Sequence, residues 1–164
     1  MIRRSLLTAA LILAGSVAIA PKASAQSVDV PFTGSIGGAC NVGQVTPGVL
    51  GSYSPNPGNP TMLISEPMYG GTRGLVSVSC NQNSEVSVTV PVQTGGPSFI
   101  PIYFYSNVVS PHGSSWADMN GNNGTHIIPM GGPTQLDVGM IVDKGVALTP
   151  GVYNFVTTVN ITPL

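Results

Sequence analysis

Residues 75 to 92 read LVSVSCNQNSEVSVTVPV, and this stretch decides the fold class. Val76, Val78 and Cys80 fall on one side of an extended chain, with serines on the other. After the polar tetrad Asn81-Gln82-Asn83-Ser84 the pattern resumes, with Val86, Val88, Val90 and Val92 sharing a side. A period of two on both sides of a turn predicts two strands, paired as a hairpin or placed in facing sheets.

The same period recurs further along the chain. Leu136, Val138, Met140 and Val142 alternate with Asp137, Gly139 and Ile141, and the run Val152 to Ile161 places Tyr153, Phe155, Thr157, Val159 and Ile161 on a core side. Ile100 to Tyr105 (IPIYFY) is aromatic-rich and predicts a buried strand despite Pro101. Met62 to Ser65 and His126 to Pro129 predict short strands. Pro47, Gly48 and Gly51 limit Asn41 to Tyr53 to short strands, and Ser54 to Pro60 (SPNPGNP) and Pro67 to Gly74 predict loops. Asn107 to Asn123 reads mostly as loop. No segment after the N-terminal leader keeps a 3.6-residue apolar period, so the chain is expected to be all-β, with strands at sandwich-like spacing.

The leader itself is Met1 to Ala25. Arg3 and Arg4 precede an apolar run from Leu6 to Ala20, and Ala23-Ser24-Ala25 supplies the small residues of a cleavage site. This is the pattern of a secretory signal; the run of about 15 apolar residues is shorter than the roughly 20 that span a membrane. The expected organisation is therefore a cleaved signal over 1–25, an arm over 26–36 and one domain over 37–164. Past the signal, two basic residues (Arg73, Lys144) face six acidic ones, a balance of about −4. Nucleic acids and anionic membranes need clustered Lys and Arg, so neither is an expected partner. Export places Cys40 and Cys80, the only cysteines, in an oxidising compartment, where a disulfide is the default pairing. The competing reading, reactive or metal-binding thiols, lacks a CxxC spacing and a nearby histidine.

Chemistry-bearing constellations are weak. Asp118 to Gly124 opens like a calcium loop, but the sixth and twelfth positions are Asn123 and Pro129 where Gly and Glu belong. His112 and His126 are not at ligand spacing and read as exposed loop residues. Ser114 and Ser115 sit on no GxSxG elbow, and the six acids do not converge, so no enzyme, cofactor or metal is expected. Trp116 with Tyr103 and Tyr105 could stack on a sugar, against the alternative of core or subunit-contact aromatics. The sequons at Asn123 and Asn160 read as chance matches.

What remains is the arm. Val28, Val30, Phe32 and Ile36 share one side of an extended Ser27 to Ile36, while Pro31 removes one ladder hydrogen bond. Together with GSIGGACNV (Gly34 to Val42), the SVSC strand (Ser77 to Cys80) and the closing PGVYNFVTTVNIT (Pro150 to Thr162), this resembles the spore coat U and archaic chaperone-usher pilin family. That resemblance implies an immunoglobulin-like sandwich lacking its final strand and a disulfide joining the first strand to the second. It also implies a donor-strand arm that fills the groove of the next subunit. Tyr153, Phe155, Val159 and Ile161 would then border that groove. The implied partners are other copies, a periplasmic chaperone and an outer-membrane usher, and the implied location is a surface pilus reached through the periplasm. A coat or matrix protein of the same fold is the first alternative. A carbohydrate-binding adhesin is the second, disfavoured because a tip adhesin is expected to need a further domain.

Overall fold

The computed structural model describes residue 31, residues 33–54 and residues 58–164. The expected signal segment and the arm residues Val28, Val30 and Phe32 lie outside the described residues; Ile36 lies within them and is 92% exposed.

Among the described residues alternation and turn chemistry build thirteen strands, most of them short, and no α-helix occurs. β1 (Cys40–Thr46), β4 (Gly74–Cys80), β11 (Gly131–Asp143), β7 (Tyr103–Ser110), β8 (Gly113–Asp118) and β9 (Asn123–Gly124) lie in that order in one antiparallel sheet. β2 (Gly51–Tyr53) and β3 (Met62–Ile64) extend it beside the second half of β11. β10 (His126–Ile128), β5 (Ser84–Val88) and β13 (Val159–Pro163) form a second sheet, and β12 (Asn154–Val156) with β6 (Val92–Gly95) a third. Val78, Val108 and Leu136 of the large sheet and Val86, Val88 and Ile128 of the second bury their side chains in one cluster, an arrangement consistent with a β-sandwich. Ile36–Leu164 forms one compact unit.

Of the two arrangements open to residues 75–92, the chain adopts the second: β4 and β5 lie in different sheets. The Cys40–Cys80 disulfide is formed and joins β1 to β4 where Cys40 and Cys80 are register partners.

Several expectations give way. Asn107–Asn123 is not mostly loop, because β7 and β8 make a long hairpin through it. Its inward positions include Ser106 and Ser115, both 0% exposed, so the apolar count was low although the strands are core strands. Ile100 to Tyr105 is not a buried strand: Ile100 and Ile102 are 78% and 60% exposed, and β7 begins only at Tyr103, beyond Pro101, which has no N–H to donate. Val92 departs from the β5 face; β5 ends at Val88, before Pro91, and Val92 opens β6. The closing run is two strands, β12 and β13, interrupted at Thr157 and Thr158, where Thr158 N–H donates to Thr89 Oγ1. Into Asn41 to Tyr53 runs a seven-residue strand, β1, which starts at Cys40 and stops just before Pro47-Gly48.

Candidate functional site: an apolar groove between two open edges

β1 carries the sequence CNVGQVT, in which Val42 and Val45 are three residues apart. In a regular strand that odd spacing sends them to opposite faces. The register shift between Val42 and Val45 places one extra residue in β1, so that Val42 faces Val78 and Val45 faces Val76. A bulge at Gly43-Gln44 thereby turns both valines to the inner side. There they remain 52% and 59% exposed.

The space they face is an open groove of about 960 Å³. Its floor is the inner face of the large sheet, with Val76 of β4 and Val138 and Met140 of β11. Elsewhere on these strands Val78 and Leu136 are 1% and 0% exposed, whereas Val76, Val138 and Met140 are only half-buried. In that condition these mid-sheet residues present apolar surface to the groove. One wall is β1 and the bend that follows it, with Val49 and Leu50; the other is the chain from Gly151 to Ile161. Buried residues form two clusters, one under the disulfide and one around Leu63, Phe99 and Val142, and the groove borders both.

All four C-terminal positions singled out from the sequence line this groove: Tyr153, Phe155, Val159 and Ile161. Phe99 fixes the first two by edge-on contact, with ring centroids 5.8 Å from Tyr153 and 5.3 Å from Phe155. Tyr153 also donates its hydroxyl to Thr149 O at 2.7 Å, so the ring is held from both ends. Val42 and Val45 are groove residues that the alternation rule overlooked; the signal for them was the glycine inside Val-Gly-Gln-Val, since a strand glycine marks a bulge.

The two walls are sheet edges. Among the described residues β1 pairs only with β4, β13 only with β5 and β12 only with β6. Each therefore offers a row of main-chain N–H and C=O groups along one side, with apolar side chains beneath. A free edge beside exposed apolar surface accepts an added strand.

Other candidate residues are placed as follows. Asp118 accepts from the backbone N–H of Asn120 and of Asn122 and from Asn122 Nδ2, at 2.9 to 3.1 Å. The Asn122 side chain, with these backbone donors, holds the Asp118 carboxyl below its ordinary range, and the segment is an Asn/Gly turn. Among the described residues no three His, Cys, Asp or Glu side chains cluster as metal ligands, and no helix is long and apolar enough to cross a membrane. Asn160 sits on β13, facing out.

His126 is not an exposed loop residue. It sits in β10, 9% exposed, with Nε2 2.9 Å from Ser110 Oγ and with Nδ1 buried without a partner. Burial, with His112 adding a smaller effect, lowers its pKa below 6.5. The unfolded chain therefore binds the proton more readily than the folded one, so stability is full above about pH 6.5 and is lost as pH falls toward the folded value. Denaturant midpoints measured from pH 7.5 to 5 should decline, and His126→Gln should flatten the part of that decline that lies between the two pKa values. An unchanged slope in the variant would assign the acid sensitivity elsewhere.

No protein-family model, curated protein or solved structure matches this chain.

Proposed function

We propose that this chain is an exported structural subunit of a surface fibre, an incomplete immunoglobulin-like sandwich whose groove is filled by the N-terminal arm of the next copy. The observation that carries the reading is the groove: half-buried core side chains lie between two strands whose outer edges are unpaired among the described residues. An arm presenting Val28, Val30, Phe32 and Ile36 on one side has the pattern that such a groove accepts, with main-chain bonds to the edges and side chains in the gap. Pro31 lacks an N–H, so one rung of that pairing is missing. The contact is head-to-tail and does not close on itself, which makes a fibre. During export a chaperone covers the groove and an outer-membrane usher assembles the subunits.

Surface material from the native host, run unboiled on a denaturing gel, should give a ladder of multimers that collapses to monomer on boiling. A single monomer band without boiling contradicts fibre formation and favours a coat or matrix protein that does not polymerise.

A further inference from the structure

The outer face of the large sheet carries a second arrangement, remote in kind from the groove. Arg73, Gly139, Asn107, Trp116 and Gly124 lie in one row across β11, β7, β8 and β9 and the residue before β4. Two of the five are glycines, and each leaves room that a neighbour occupies. A Cβ on Gly139 would collide with Arg73 Nη2 and Asn107 Oδ1, so these two planar groups lie across the strand. A Cβ on Gly124 would stand 2.6 Å from Trp116 Nε1, so the indole lies over β9. Tyr105 sits beside it, with ring planes 22° apart and centroids at 6.4 Å, a separation that displaces the rings sideways. Tyr103, 40% exposed, follows on the same face.

The polar half of the row is locked. Arg73 Nε donates to Glu66 Oε1 at 2.9 Å and Nη2 to Asn107 Oδ1 at 2.7 Å, which leaves Asn107 Nδ2 and the second Glu66 oxygen for other partners. We infer that this face is a binding surface for neutral pyranose sugars, whose C–H faces rest on Trp116 and Tyr105 while hydroxyls meet Asn107 and Glu66. Neutral sugars fit better than acidic ones because Arg73 is already neutralised by Glu66, and Asp118 and Asp137 put negative charge beside the row. The planar groups are fixed before any ligand arrives, which lowers the ordering cost of binding.

Trp116 is the only tryptophan of the chain, so its emission reports on this face alone. The full chain is titrated with cellotetraose, mannotetraose and chitotetraose, and with tetragalacturonic acid as the charged comparison. At least one neutral tetrasaccharide should shift the emission saturably, with half-saturation on the order of 1 mM, and the acid should bind more weakly. Asn107→Ala and Tyr105→Ala keep the reporter and should weaken binding about 5- to 10-fold, in line with one lost contact each. Thermal midpoints show whether each variant is folded, and Ser114→Ala, on the next row of β8, should bind like the parent. Titrating Phe32→Asp separates this inference from the fibre, since sugar binding should survive there. No saturable change with any neutral sugar overturns it, as do undiminished binding in both folded variants and an emission shift that follows protein concentration alone, which would make the face a contact between copies.

Discussion

Phe32→Asp is expected to reduce the ladder of multimers to monomer while leaving the subunit folded. Fully burying Val28, Val30, Phe32 and Ile36 contributes roughly 1.5 to 3 kcal/mol each, or about 6 to 12 kcal/mol before ordering costs. Aspartate removes the largest of these contributions and places a carboxylate where it must be desolvated without a partner. A combined loss of about 4 kcal/mol weakens association roughly 1,000-fold. The opposite wall should respond alike: Val45→Asp puts the charge on β1, facing the same gap, and should also dissolve the ladder. Val109→Asp, on the outer face of β7 and 37% exposed, should not. If all three leave the ladder intact, copies are joined by some other surface.

Removing the disulfide should have the second-largest effect, this time on the subunit itself. Cys40 and Cys80 are 40 residues apart, and opening a loop of that length restores on the order of 4 kcal/mol of entropy to the unfolded chain. For a domain of this size that corresponds to a fall of about 10 to 20 °C in thermal midpoint. The location adds a second consequence. Among the described residues β1 is held to the sandwich by β4 on one side only, and the disulfide ties its first residue. Freed by the double substitution to serine, β1 should fray first, and the groove lose a wall before the core melts. Amide exchange in Asn41–Thr46 that rises ahead of exchange in β11 would show this order; simultaneous loss would mean that the disulfide supports the whole domain and not its edge.

How much of this was legible in the sequence depends on what each residue packs against. Alternation located β4, β5 and β11 because the inward positions it detects there are valine, leucine, methionine and cysteine. The β7–β8 hairpin escaped because Ser106 and Ser115 occupy fully buried inward positions; Ser106 is satisfied there by Thr157 Oγ1 at 3.0 Å, a partner 51 residues away. His126 is buried for a related reason: Ser110 and Gly113 of the large sheet pack against its ring, and neither adjoins it in sequence. Of the groove, one wall was readable in Tyr153, Phe155, Val159 and Ile161. The other was hidden by the bulge, since Val42 and Val45 at odd spacing look like residues on opposite faces. Ile100 and Ile102 show the converse error, in which hydrophobicity alone stood for burial.

If an arm from one copy occupies the groove of another, hydrogen exchange on assembled multimers will register it on both partners. Compared with Phe32→Asp monomer, multimers should gain protection together in Ser27–Thr33, in Val42–Thr46 and in Tyr153–Ile161, the arm and both walls. Multimers that gain protection elsewhere, for instance across Tyr103–Trp116, with the arm and β1 exchanging as fast as in the monomer, would contradict it.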